Sequence, residues 1–322
     1  MSTPSFSDPL PIATRGSPLA LAQAHMTRDL LIKALGLTQS DGEQIFPIRT
    51  FMTTGDKLTT QRLTEAGGKG LFTKEIDAAI LRGEARVSVH SMKDVPIAPP
   101  AGLEFVAYLE REDPRDVLLT AGGSVQLADL PQGAILGTAS LRRQAQALHA
   151  RPDLKIVTLR GNVGTRLDRL NSGEIDATFL ARAGLNRLGR PEAQFTPIEA
   201  KTMLPAAGQG VVGIAIRSDD VEAHGIVAPL NHEPSWIALS AERAALGALD
   251  GSCRTPIAIH AVQDGEALHV CAEALTPDGA QCWRDEGHCA ATLLDAQNLG
   301  RQLGEAIKAA GGDTLARAIA AS

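Results

Sequence analysis

Val87-Ser88-Val89-His90-Ser91-Met92-Lys93-Asp94-Val95-Pro96 decides how the chain is read. Val-Ser-Val alternates like the end of a buried strand. The Val95-Pro96 pair ends regular structure, because a residue before proline is pushed away from helical geometry. Lys93 and Asp94 therefore stand where a strand opens into a loop, the edge at which open α/β sheets bind ligands. An adjacent ammonium and carboxylate offer a proton donor and a cation stabiliser in one place. Alone, a Lys-Asp pair reads as solvated surface, so the rest of the chain must decide.

Outward from that stretch, residues 11–14 read as extended, and Ser17-Pro18 opens a helix with Ser as N-cap and Pro at the first helical position. Residues 43–50 alternate like a strand, and residues 71–81 read as a helix. Between them, residues 53–70 are long, polar and glycine-bearing, which predicts a mobile lid. Downstream, residues 134–137, 155–159 and 175–180 read as strands, each followed by a helix starting near Ser140, Asn162 and Ala181. Strands alternating with helices predict a parallel sheet covered on both faces. Residues 204–210 lead into one more apolar strand, 211–216, and the charged stretch 218–222 marks a boundary. From residue 233 the pattern becomes helix, small sheet, helix, a compact α+β unit.

A chain of 322 residues suits two or three cores, and 44% hydrophobic with 21% charged residues is ordinary for a soluble globular protein. Aromatic content of 3% speaks against base-stacking nucleic-acid modules. No apolar run reaches the roughly 20 residues of a membrane helix, and the N-terminus lacks the basic start and apolar stretch of a secretory signal. The cysteines Cys253, Cys271, Cys282 and Cys289 form no C-x-x-C pair and have no histidine at zinc-finger spacing, so no metal site is expected and a reduced, cytoplasmic protein is. Net charge is −6, yet residues 138–190 hold nine Arg and one Lys against four acids, a local +6 that leaves −12 elsewhere. An acidic protein with one arginine-dense block suits a small polyanion better than a nucleic-acid backbone, because Arg forks onto carboxylates and phosphates.

Three basic clusters fall where helices begin: Arg15 with Ser17, the Thr138-Ala139-Ser140-Leu141-Arg142-Arg143 run, and Arg160 with Arg166 around Asn162. Free N–H groups and partial positive charge at a helix start, joined by Arg and hydroxyls, make an anion site. Three of them point to a ligand with several acidic groups. Gly67-Gly68-Lys69-Gly70 lacks the spacing of a phosphate loop and reads as a hinge carrying one cation. Cys253, in a glycine-preceded turn beside Arg254, reads either as an accessible thiol or as a small buried hydrophobe; the other three cysteines, His90 and His149 read as structural.

Taken together, the segments 12–21 (IATRGSPLAL), 67–75 (GGKGLFTKE), 89–96 (VHSMKDVP), 110–116 (EREDPRD), 137–144 (GTASLRRQ), 151–154 (RPDL), 159–167 (LRGNVGTRL), 204–214 (LPAAGQGVVGI) and 241–243 (AER) resemble the porphobilinogen deaminase, or hydroxymethylbilane synthase, family in order and over nearly the whole chain. The resemblance implies two periplasmic-binding-protein-like (type 2) α/β domains plus a smaller C-terminal α+β domain. Domain 1 would cover 8–108 and 205–222 with Asp94 and the lid, domain 2 109–204 with the arginine-rich anion site, and domain 3 223–322 with the cofactor-bearing cysteine. It implies a transferase of tetrapyrrole (haem) biosynthesis that joins four porphobilinogen molecules on a dipyrromethane cofactor held by a thioether to Cys253. Carried over by motif, Asp94 and Lys93 are catalytic, and Lys69, Lys93, Asp94, Thr138, Ser140, Arg142 and Arg143 bind the cofactor. Arg15, Ser17, Arg160, Arg166 and Arg187 bind substrate. A monomer with no nucleic-acid or membrane partner is implied. The chain departs from the family pattern at Glu65, Ser252 and Ala215. The competing reading is a non-catalytic anion-binding or sensor module on the same two-domain frame, which requires neither Asp94 beside Lys93 nor an accessible Cys253.

Overall fold

The structure, a computed structural model, describes residues 8–57, 70–252 and 255–320. In chain order the strands are β1 (Ile12–Arg15), β2 (Ile48–Phe51), β3 (Val87–Ser91), β4 (Leu103–Tyr108), β5 (Asp116–Thr120), β6 (Gly123–Ser124), β7 (Ile135–Gly137), β8 (Lys155–Val157), β9 (Ala177–Ala181), β10 (Val212–Arg217), β11 (Ile257–Asp264), β12 (Ala267–Leu275) and β13 (Cys282–Ala290). The helices are α1 (Pro18–Leu35), α2 (Gln39–Ile45), α3 (Thr54–Lys57), α4 (Lys74–Leu81), α5 (Leu141–Ala150), α6 (Val163–Asn171), α7 (Arg182–Arg187), α8 (Val221–Val227), α9 (Glu233–Ala248) and α10 (Leu293–Ala320). The described residues divide into two compact units, one of 8–57, 70–111 and 211–235, the other of 112–210, 236–252 and 255–320.

The first unit is built on the sheet β2-β1-β3-β10-β4. Side chains alternate across it, as the two-residue period of a strand requires. Ile12, Val87, Val89, Ile214 and Ile216 join Ala24 and Leu31 of α1 and Ala223 and Val227 of α8 on one face. Ala13 and Leu103 meet Ile76 and Ile80 of α4 on the other. Burial on both faces explains why β3 reads as an almost continuous buried run.

The second unit holds two sheets. In β6-β5-β9-β7-β8, Leu118, Leu136 and Phe179 pack with Ala147 of α5, while Val117, Leu119 and Leu180 pack with Leu167 and Leu170 of α6. The antiparallel β11-β12-β13 sheet shares its core with α9 and α10. Gly300 lets those helices touch: a Cβ there would lie 2.1 Å from Ala241 O. The fold is thus two five-stranded α/β sheets with a smaller C-terminal α+β element.

Three expectations need correction. The sheets are mixed rather than parallel, because β10 runs antiparallel to β3 and β4, and β5 antiparallel to β9. Both odd strands follow a passage of the chain from one unit to the other, at 111–112 and 210–211, where no crossover helix precedes them to reset direction. Residues 43–50 do not form one strand. Thr38 caps α2, its Oγ1 accepting from Asp41 N at 3.2 Å, and Pro47 intervenes before β2 begins. The helix expected over 71–81 starts only at Lys74, because Gly70 (φ 77) opens a turn first. Of the lid stretch, α3 and Gly70 are described; Glu65 and Lys69 lie outside the described residues.

Candidate functional site

In the first unit, parallel register aligns β1 with β2 (Arg15 opposite Phe51) and with β3 (Ala13 opposite Ser88), so the C-terminal ends of the three strands share one edge. Arg15 ends β1 there, and Ser17 caps α1, its Oγ accepting from Ala20 N at 3.4 Å. Lys93 and Asp94 sit on a one-turn 3-10 helix, Met92–Asp94, directly after β3, both half-buried. Met92 N donates to Val211 O at 3.0 Å. The Met92 side chain fills space above Gly213, where a Cβ would come within 2.2 Å of its sulfur. The catalytic pair of the sequence reading therefore stands on an anchored turn.

Arg15 is already engaged. Its Nε lies 3.2 Å from both oxygens of Asp56, its Nη2 also pairs with Asp56, and its guanidinium stacks on Phe72 at 4.3 Å. Burial alone would raise the Asp56 pKa, but Arg15 and the Thr53 hydroxyl outweigh it and hold the carboxylate below its usual range. His90 is buried 3.8 Å from Asp77, edge-on to Phe105. Burial, then the nearby charge of Arg15, pushes its pKa down to about 4; a proton carrier at neutral pH needs a pKa nearer 7.

In the second unit, β7, β8 and β9 run parallel, and from the edge where they end come α5, α6 and α7. Thr138 Oγ1 accepts from Ser140 N at 3.1 Å, and Ser140 Oγ accepts from Arg143 N at 3.4 Å, capping α5. Asn162 Oδ1 accepts from Thr165 N at 2.9 Å, capping α6. Arg160 and Arg166 flank that start; Arg166 Nε donates to Gly161 O at 3.0 Å, and burial lowers the pKa of Arg160. Arg142 and Arg143 are almost wholly buried around Asp116. Arg142 Nε is buried without a hydrogen-bond partner among the described residues. Arg187 gives its Nη2 to Gly210 O at 2.7 Å.

Much of the arginine-dense block is structural. Arg151 binds Asp153 and the carbonyls of Leu127 and Leu130, Arg169 and Arg190 pair with Glu174 and Glu192, and Arg182 donates to Phe195 O. Sequence reading missed Asp116, Gln209 and Asp56. Asp116 had a signal: an acid opening the apolar run Val117-Leu118-Leu119 of a buried strand is itself buried, and a buried carboxylate requires cations. Cys253 lies outside the described residues. Beside it, Asp250 adopts a left-handed φ of 52, and Thr255 Oγ1 donates to Ser252 O at 2.7 Å. Ala215 is buried opposite Ser88, whose hydroxyl donates to its carbonyl at 3.3 Å. No helix among the described residues is long and apolar enough to cross a membrane.

These features define a class: an α/β binding fold whose strand-end edges gather helix N-termini, guanidinium groups and one Lys-Asp turn. The porphobilinogen deaminase, dipyromethane cofactor binding domain model matches residues 10–225, and the porphobilinogen deaminase, C-terminal domain model matches 236–309. Porphobilinogen deaminase of Caulobacter vibrioides is 47% identical over 319 residues, 97% of this chain and 98% of its own. That of Phenylobacterium zucineum is 45% identical over 312 residues, 94% and 97%. The chain belongs to the porphobilinogen deaminase family. Among solved structures, a periplasmic aliphatic sulphonate binding protein from Escherichia coli aligns with a TM-score of 0.40 at 17% identity, covering 75% of this chain and 70% of its own.

Proposed function

We propose that the chain condenses four porphobilinogen molecules, with loss of ammonia from each, on a dipyrromethane cofactor joined through a thioether to Cys253, and then releases the linear tetrapyrrole hydroxymethylbilane by hydrolysis. Family membership makes it a transferase of tetrapyrrole formation. The observation that carries the mechanism is Asp94 on the anchored turn ending β3, at the edge shared with Arg15 and the start of α1. When bound, dipyrromethane supplies a nucleophilic pyrrole α-carbon and a fixed starting point. The residues present fit such a polycarboxylate: Arg142 Nε is a buried donor without a partner among the described residues, on the helix whose capped start carries Thr138 and Ser140.

Porphobilinogen carries an acetate, a propionate and an aminomethyl group. Its C–N bond breaks with the electron pair leaving on nitrogen, and the Lys93 ammonium is the donor for that amine. The substrate is left as an azafulvene cation. The Asp94 carboxylate, beside the pyrrole N–H, stabilises that charge and takes up the proton released when the new bond forms. Arg15, Ser17, Arg160, Arg166 and Arg187 receive substrate carboxylates; Lys69, Lys93, Asp94, Thr138, Ser140, Arg142 and Arg143 hold the cofactor. Arg187 has donors beyond the one given to Gly210, since a guanidinium carries five. We read three domains, 8–108 with 205–222, 109–204, and 223–322, in a cytoplasmic monomer; the free thiols of Cys271, Cys282 and Cys289 support a reducing compartment.

Intact mass and turnover test this reading. The parent should carry two pyrrole units, removed by Cys253→Ala. Asp94→Ala should keep the adduct and the fold while losing at least about a hundredfold in turnover. An unmodified parent would remove the cofactor assignment, and near-normal turnover in Asp94→Ala would remove Asp94 from the mechanism.

A further inference from the structure

Two motifs, residues 110–116 and 204–210, have no part in the chemistry above, and both meet the helix that carries Arg142 and Arg143. Asp116 opens β5 with its side chain wholly buried. Its Oδ2 accepts from Arg142 Nη2 at 2.8 Å and Arg143 Nε at 3.2 Å. Its Oδ1 accepts from Arg143 Nη2 at 2.9 Å and Gln209 Nε2 at 2.8 Å. Gln209 also reaches Pro114 O at 2.6 Å, and Arg142 Nη1 and Gln146 Nε2 both donate to Leu204 O, at 2.7 and 3.0 Å. The next residue before Gln209, Gly208, donates its N–H to buried Glu242 of α9 at 2.7 Å.

One carboxylate thus faces two guanidinium groups. Arginine side chains are long and rich in rotamers, and two buried like charges repel. Each fork gives one nitrogen to a backbone carbonyl, Arg142 to Leu204 O and Arg143 Nη1 to Phe179 O at 2.9 Å, and the shared anion is what ties the two together. Buried Glu273 also acts on Arg142 but pairs with Arg284 at 3.5 Å, so after both acids are counted the cluster keeps a net positive charge, which leaves it able to take one more carboxylate.

We propose that Asp116, steadied by Gln209, is a positioning residue: it orients Arg142 and Arg143 to receive a cofactor carboxylate without touching the ligand itself. The inference rests on the dipyrromethane reading above. Its test compares Asp116→Asn, which keeps one acceptor oxygen but loses the charge, with Leu118→Ala, a core truncation two residues along the same strand. Intact mass reads cofactor loading, and thermal melting reads stability. Asp116→Asn should fold yet carry the adduct in about a tenth of the molecules that the parent does, the scale of a lost charged hydrogen-bond set. Leu118→Ala should melt lower and stay loaded. Full loading in Asp116→Asn, or equal loss in Leu118→Ala at equal melting temperature, would overturn the inference. If Asp116→Asn does not fold, Gln209→Leu decides on the same readouts, with a loading drop of about threefold expected and unchanged loading counting against. A parent without adduct would instead bring down the dipyrromethane reading itself, and this inference with it.

Discussion

Asp77 is buried beside His90, which lies four residues before Asp94, and burial moves the two in opposite directions. His90 falls from 6.5 to about 4, through burial and then the charge of Arg15. Asp77 rises from 3.8 to about 6, through burial first, with Glu75 adding and the Thr73 hydroxyl opposing. Between the two His90 values the unfolded chain binds a proton that the folded one refuses. That contribution to stability is lost as pH falls. Between the two Asp77 values the folded chain keeps a proton that the unfolded one releases, and that contribution is lost as pH rises. The slopes largely cancel in the parent. Asp77→Asn leaves only the histidine slope, so its urea midpoint should drop further than the parent's between about pH 7 and about pH 4.5. His90→Gln leaves only the carboxyl slope and should gain on the parent over the same interval. Parallel pH profiles for all three proteins would refute the assignment. This pair was only half legible in the sequence. His90 reads as structural from its place in a buried strand, but its carboxylate partner comes from α4, thirteen residues away, and only folding brings them together.

In the function proposed above, helix starts receive the ligand's carboxylates, so capping and ligand binding would share the same atoms. Asn162 caps α6 through Thr165 N. Asn162→Ala should lower stability by about 1 kcal/mol in a denaturant melt. Asn162→Asp keeps a good cap and complements the helix dipole, so its stability should hold. Its added charge nevertheless stands beside Arg160 and Arg166, and porphobilinogen KM should rise. Equal KM for the Asp and Ala variants would separate α6 from substrate binding. All three helix starts were legible, because a hydroxyl or amide before a helical pattern acts through neighbours in sequence. The direction of β5 and β10 was not legible, since it depends on where the chain passes from one unit to the other. The arginine-dense block was legible as a local excess of charge but not as allocation. Arg151, Arg169, Arg182 and Arg190 have partners that a charge count assigns to solvent. The α2 helix was overlooked because its cap, Thr38, precedes only seven helical residues, too few for a clear periodic stripe.

At the largest scale, the second unit joins two sheets that the sequence separates by the whole first-unit stretch 211–235. The join is specific. Gln144 Nε2 donates to Pro277 O at 3.0 Å, His149 Nδ1 meets Gly279 O at 2.8 Å, and Arg284 Nη1 donates to Lys201 O at 3.1 Å. Glu242 of α9 accepts from Gly208 N and from Ala261 N of β11, at 2.7 and 2.8 Å. The turn between β12 and β13 has Pro277 and Asp278 at its centre and closes with Gly279 N donating to Thr276 O at 2.8 Å. Gly279 has φ 72, and a Cβ there would lie 2.4 Å from His149 N and 2.6 Å from Ala145 O. Backbone meets backbone at that point, so neither side can yield by rotating a side chain. Gly279→Ala therefore combines a left-handed conformation costing about 1–2 kcal/mol with a steric displacement costing about 1–3 kcal/mol. If α5 and the small sheet form one cooperative block, the damage spreads beyond the turn. Amide hydrogen exchange should accelerate in α5 and β12 together, and the denaturant midpoint should fall. Acceleration confined to residues 276–281 would mean that the turn rests on α5 without stabilising it, and that the two sheets open independently.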